Sequence, residues 1–222
     1  MENEIRPGMA RAAVLTPTAA GIAGALGLLW LAPDGPVPEG GASARGYRAV
    51  TGWVADGPRW TGALLEAATE GTLVLLGLLL AAVGWRALRR RDAGGIAGTV
   101  LVGLGTVAAY VLSEAVKSVV DEERPCRALR DAVAVAVCPE PGDWSFPSNH
   151  ATLAVALAVG VAVLRPVLAA AALPLGAVAA LLRVAVGVHY PHDVLAGAVL
   201  GCAVVAGVLA GARPWGTRLV SG

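Results

Sequence analysis

The sequence predicts an all-α polytopic membrane protein, one six-transmembrane-helix bundle occupying residues 1–222 as a single domain. Three observations predict it. Apolar residues make up 56% of the chain and charged residues only 15%, a balance that soluble domains of this size rarely show. Six apolar stretches are long enough, or nearly so, to cross a hydrocarbon core of about 30 Å, which takes about 20 helical residues. Ala, Gly, Val and Leu dominate these stretches, and small residues suit close helix–helix packing in lipid.

The stretches run Ala12–Ala32, Ala63–Trp85, Gly94–Val116, Ser148–Leu164, Val167–Gly187 and Val194–Ala212. Each is read as helix because lipid offers no partner to open backbone groups. The first carries Pro17 in its first half, lacks a clear cleavage site and precedes five more spans. It reads as a retained helix rather than a secretory signal. The second holds Glu66 and Glu70, four apart on one face near its outer end. They border an entry route, pack inside the bundle or bind a neighbouring cation. The fourth is short and stops at Arg165-Pro166. Cys202, in the middle of the sixth, reads as a small packing residue.

Lys/Arg bias sets the orientation. Arg86, Arg89, Arg90 and Arg91 crowd the short loop after the second span, and Arg6, Arg11, Arg165, Arg213 and Arg218 agree with it. Six spans then put both termini in the cytoplasm of a multi-pass plasma-membrane protein. Loops Pro33–Gly62, Lys117–Pro147 and Val188–His192 face outward, with Trp53, Trp60 and Trp144 near the outer interface. An outward loop lies in an oxidising compartment, so Cys126 and Cys138 are expected to form a disulfide. The net charge is +1 and no basic run is long enough to follow a phosphate backbone, which argues against nucleic acid as a partner.

Chemistry concentrates in three outward segments. Lys117 is the sole lysine; the three histidines are His150, His189 and His192. Lys117 and Arg124 lie seven apart, two helical turns, so both project from one face if the third helix continues outward. Pro125 then favours ending it. Such a pair suits a phosphate, although interfacial snorkelling also explains it. Phe146-Pro147-Ser148-Asn149-His150 opens the fourth helix, whose first turn offers unpaired N–H groups and a positive dipole end. The Ser148 hydroxyl and the Ser148 and Asn149 amides can cradle an anion there; a plain N-cap is the simpler alternative. Arg183 lies about a turn and a half inside the end of an apolar helix, where a charge is expensive and normally has a role. His189 and Asp193 straddle a tight turn at Pro191, in the arrangement of a catalytic histidine and its orienting carboxylate. Asp193 taken alone also fits a helix-dipole partner. His192 reads as a polar loop residue.

Together these segments resemble the three signature motifs of the type 2 phosphatidic acid phosphatase (PAP2) superfamily: Lys-six-Arg-Pro, Pro-Ser-Gly-His and Ser-Arg-five-His-three-Asp. Lys117, Arg124 and Pro125 match the first in full. Pro147, Ser148 and His150 match the second, with Asn149 where Gly is usual; Arg183, His189 and Asp193 match the third, with Leu182 where Ser is usual. The resemblance implies a lipid phosphatase of the six-helix type working through a phosphohistidine. His189 then corresponds to the nucleophile, Asp193 to its orienting partner and His150 to the general acid. Lys117, Arg124, Ser148, Asn149 and Arg183 correspond to the phosphate ligands, and neither metal nor cofactor is implied. The implied substrate is a lipid phosphate of the outer leaflet. An undecaprenyl or other polyprenyl pyrophosphate is favoured over phosphatidylglycerophosphate, phosphatidic acid or a phosphotransfer reaction. The site also resembles that of vanadate-dependent haloperoxidases, but those are soluble, and the six apolar stretches count against them.

Overall fold

The computed structural model describes residues 7–58 and 60–220, with side chains from Pro17 to Ala212. Arg6 and the side chains of Arg11, Arg213 and Arg218, used above for orientation, lie outside the described residues.

The described chain is helical, in the order α1 (Pro7–Leu31), α2 (Ala42–Ala55), α3 (Trp60–Arg89), α4 (Ala93–Val120), α5 (Pro125–Ala128), α6 (Asn149–Leu164), α7 (Ala169–Ala185) and α8 (Pro191–Val220). Trp60–Arg89, Ala93–Ala128, Pro166–Ala185 and Pro191–Ala212 are long and apolar enough to cross a membrane; Pro17–Leu31 and Asn149–Leu164 are apolar but shorter. The outward faces carry Leu26, Leu29, Leu75, Leu78, Leu104 and Leu181, all more than half exposed. Apolar side chains belong there when the solvent is hydrocarbon. Cys202 also lies on this exposed face of α8 rather than inside the packing, which corrects its reading as a packing residue.

The centre of the bundle is α6, which packs against α3, α4, α7 and α8, while α1 lies along α8. Its own core residues are small: Ala154, Ala158 and Val161 meet Leu76, Val102, Ala172 and Val205. With weak hydrophobic drive between helices in lipid, close backbone approach supplies the packing. A Cβ on Gly197 would come within 2.4 Å of the Ser148 carbonyl oxygen, so glycine is what lets the start of α8 close on the start of α6.

α2 falls in a segment read above as loop. Its buried residues Ala44, Tyr47, Thr51 and Val54 line one face, which packs over the ends of α7 and α8. The Tyr47 hydroxyl reaches the Val133 carbonyl (2.7 Å) and the Gly187 carbonyl (3.1 Å), pinning α2 to the segment before the site.

Candidate active site

The C-termini of α4 and α7 and the N-termini of α6 and α8 meet at one end of the bundle. Arg86, Arg89, Arg90, Arg91 and Arg165 sit at the other, where α3 and α6 end.

The first pair of cations arrives by a different route from the one the spacing predicts. α4 stops at Val120, with Asp121 left-handed at φ 42° and its N–H returned to the Lys117 carbonyl. Arg124 is therefore on a loop, held extended (φ −65°, ψ 144°) ahead of Pro125, and not two helical turns along from Lys117. The two cations nonetheless converge. Asp143 Oδ1 accepts from Lys117 Nζ at 3.2 Å and from an Arg124 terminal nitrogen at 2.9 Å. Arg124 Nε also donates to the Asp143 carbonyl (2.7 Å), and its other terminal nitrogen donates to the Val188 carbonyl (3.0 Å). Burial pushes the Asp143 carboxyl up, but hydrogen bonding and charge from Arg124, then Lys117, outweigh it and hold the group below its ordinary value. Asp143 is thus an anion bound by the two groups assigned to phosphate. Its segment is tied down by the disulfide between Cys126 and Cys138 and by the Ser145 N–H bonded to the Glu122 carbonyl (2.8 Å).

His189 is delivered by the turn after α7. Gly187 takes φ 87°, and a Cβ there would stand 2.5 Å from Val133 O and Ala134 Cα; only glycine fits. The imidazole is 2% exposed. Its Nε2 lies 3.0 Å from an Arg124 terminal nitrogen. Its Nδ1 lies 3.4 Å from both Asp193 Oδ2 and Ser145 Oγ. The neighbours therefore put the ring proton on Nδ1 and the lone pair on Nε2, facing the cations. Burial holds this imidazole well below its ordinary value, and the charges of Arg124, Arg183 and Lys117 add to the effect, so the ring is neutral. Asp193, fully buried at the start of α8, receives the Ser145 hydroxyl (2.5 Å) and the Tyr190 N–H (2.7 Å) on Oδ2.

His150 stands in the first turn of α6, with Nε2 2.8 Å from Glu70 Oε1 on α3. Its side chain is 27% exposed and that of Glu70 64%, so Glu70 borders the mouth of the site. Arg183 is within electrostatic reach of Arg124, His150 and His189, and its buried Nε has no hydrogen-bond partner among the described residues. The Ser148 hydroxyl is likewise buried and unpartnered.

Part of the expected anion cradle is spent internally. The Ser148 N–H donates to the Asp193 carbonyl at 3.0 Å, because Gly197 lets α8 come that close. The first-turn amides beyond it, from Asn149 onward, keep no intrahelical acceptor. The Asn149 side chain turns away to Ser113 Oγ (2.7 Å) and Glu114.

Four contributors were not foreseen: Ser145, Asp143, Glu122 and His192. His192 is not a polar loop residue. It is the second residue of α8, with Nε2 3.0 Å from Glu122 Oε1 and 3.3 Å from Asp193 Oδ1. Asp143 and Ser145 lie just before the Phe146-Pro147-Ser148 segment, and proximity to that segment was the available signal.

The chain is similar to known proteins in sequence and in fold. The PAP2 superfamily model matches residues 98–215. Decaprenylphosphoryl-5-phosphoribose phosphatase of Mycobacterium tuberculosis is 37% identical over 132 residues, 58% of this chain and 67% of that protein. Among solved structures, the transmembrane PAP2-type phosphatidylglycerolphosphate phosphatase of Bacillus subtilis superposes with a TM-score of 0.61 at 18% identity, covering 91% of this chain and 96% of that one. LpxE of Aquifex aeolicus superposes with a TM-score of 0.58 at 21% identity, covering 78% and 98%. At these identities the two structures establish a shared fold.

Proposed function

The chain belongs to the PAP2 superfamily, and from that premise we propose that it is a membrane lipid phosphatase acting on a polyprenyl-carried phosphate or pyrophosphate through a phosphohistidine on His189. One observation carries the mechanism. The His189 imidazole has its Nδ1 toward Asp193 and its Nε2 toward Arg124, so the nucleophilic lone pair points into the cation cluster.

His189 Nε2 attacks phosphorus, the P–N bond forms and the P–O bond to the leaving group breaks. His150 gives its proton to the departing oxygen. The ring, now imidazolium, keeps its Nδ1–H on the Asp193 carboxylate. Water then attacks phosphorus, His150 takes its proton, and the P–N electron pair returns to His189. Lys117, Arg124 and Arg183, with Ser148 and the Asn149 amide, bind the phosphoryl oxygens and stabilise the charge that shifts onto them. To bind, substrate phosphate displaces Asp143 from Lys117 and Arg124.

The substrate class rests on two supports. Lipid-facing helices surround the site, which suits an isoprenoid tail, and the mycobacterial relative carries a decaprenyl group in the name of its substrate. The arginines at the opposite end of the bundle favour a site on the extracytoplasmic face, tested by whether intact cells hydrolyse an impermeant phosphate ester.

The deciding experiment is phosphate release by the purified protein from polyprenyl pyrophosphate, a polyprenyl-linked sugar phosphate, phosphatidylglycerophosphate and phosphatidic acid. The highest kcat/KM is expected with a polyprenyl substrate. A glycerophospholipid preference would move the substrate, transfer of phosphate to a lipid hydroxyl would move the reaction, and no release from any of them would end the phosphatase reading. In parallel, His189→Ala should reduce turnover to background and abolish acid-labile phosphoenzyme.

A further inference from the structure

We propose that His192 and Glu122 are positioning residues for the phosphoryl transfer, holding Asp193 from behind so that its Oδ2 stays aimed at His189. The inference rests on His189 as nucleophile.

Asp193 is completely buried, and its two oxygens are treated differently. Oδ2 faces three donors: Ser145 Oγ, the Tyr190 N–H and His189 Nδ1. Oδ1 has no aligned hydrogen bond among the described residues; His192 Nε2 faces it at 3.3 Å, with Glu122 in the same cluster. The contact is close enough for electrostatic attraction without hydrogen-bond alignment. A buried carboxylate with one bare oxygen is costly and tends to take up a proton. A protonated Asp193 would stabilise the His189 imidazolium less well. The group opposite Oδ1 therefore bears directly on the reaction.

His192 is held as a fixed part of the structure. Its Nδ1 meets Ser43 Oγ at 2.5 Å, so the serine hydroxyl donates there and the ring proton sits on Nε2. That N–H points at Glu122, whose two carboxylate oxygens lie 3.0 and 3.1 Å away, and at Asp193. Phe146 and Tyr190 stack on the imidazole, with ring centroids 5.9 and 5.5 Å distant. Residues from α2, the end of α4, the entry to α6 and the start of α8 thus converge on one ring. Glu122 is 6% exposed, too buried for a solvated surface charge. It meets the edge of His192 that also looks toward Asp193 and so fixes the orientation of that ring. With the ring held in this way, its N–H stays beside Asp193 as His189 becomes imidazolium, without rearrangement.

The test separates donation from packing. His192→Phe keeps an aromatic ring between Phe146 and Tyr190 and removes the N–H. Its kcat should fall on the order of tenfold to a hundredfold, the usual cost of losing such an outer partner, while KM stays within about twofold. His192→Gln loses the stack but restores an N–H donor at similar reach, and should recover most of kcat. In the Asp193→Asn background, His192→Phe should cost nothing further, because both act through one carboxylate. Unchanged kcat in His192→Phe, or losses that multiply in the double variant, would overturn the proposal. If His192→Phe does not fold, Glu122→Gln takes its place: a several-fold drop in kcat at constant KM is expected, and no drop overturns the idea. Glu122, His192 and Asp193 also have ligand atoms close enough to share a metal ion. Chelator is expected to leave the wild-type rate unchanged; a chelated enzyme rescued by Zn²⁺ or Mn²⁺ would replace the positioning role with a metal site. An active His189→Ala would remove the underlying mechanism, whereas an inactive His189→Ala beside a fully active His192→Phe would remove this proposal alone.

Discussion

His189 and His150 occupy the same end of the same bundle, yet they are built differently. His189 is almost fully buried and is contacted by Arg124, Ser145 and Asp193, from three separate segments. His150 is partly exposed and, among the described residues, is hydrogen-bonded to one carboxylate, Glu70, which is itself mostly exposed. The difference fits the proposed division of labour. A nucleophile must present one lone pair at one angle to phosphorus, so fixed aim and exclusion of water serve it. A group that protonates a leaving oxygen and then takes a proton from water must be reachable by both, so openness serves it.

That contrast can be broken by experiment, beginning where the expected effect is greatest. Asp193→Asn should cost about 10³-fold or more in kcat, because the ring loses the acceptor that fixes its tautomer; a loss under tenfold would show that Ser145 suffices as the orienter. His150→Ala should cost about 10²- to 10³-fold with a lipid substrate. The loss should shrink sharply with an aryl phosphate whose leaving oxygen needs no proton. An equal loss with both substrates would assign His150 to phosphate binding instead. Glu70→Gln should lower kcat only about three- to tenfold, since an exposed acceptor keeps its hydrogen bond and loses its charge. A loss as large as that of His150→Ala would mean that the open side is as tightly built as the buried one.

Titration sharpens the same comparison without any substitution. The folded-state value of His189 lies well below its ordinary one. Its neutral form therefore persists as pH falls through about 6.5, the usual imidazole midpoint. With only three histidines in the chain, imidazole ¹⁵N shifts can follow each separately. The His189 resonance should stay neutral at pH 6, and a normal midpoint there would contradict the burial and charge argument.

Much of the fold was legible because hydropathy needs no knowledge of contacts. The spans Ala63–Trp85, Gly94–Val116 and Val194–Ala212 fall inside α3, α4 and α8. α2 was missed although its sequence carries a signal: Ala44, Tyr47, Thr51 and Val54 recur at helical spacing in a polar setting. Elsewhere periodicity is mute, because both the lipid face and the core face of these helices are apolar.

By itself the sequence singled out the residues proposed to carry chemistry. Lys117, Arg124, Ser148, His150, Arg183, His189 and Asp193 are marked by charge in an apolar chain and by short local spacing, and local spacing survives in one dimension. The tertiary structure decided what stands behind them. Glu70 meets His150 across 80 residues, Glu122 meets His192 across 70, and Ser43 meets His192 across 149. No local pattern encodes such pairs. They exist because small residues such as Gly197 and Gly187 let helix ends and loops close to backbone contact, and that closure is a property of the packed bundle.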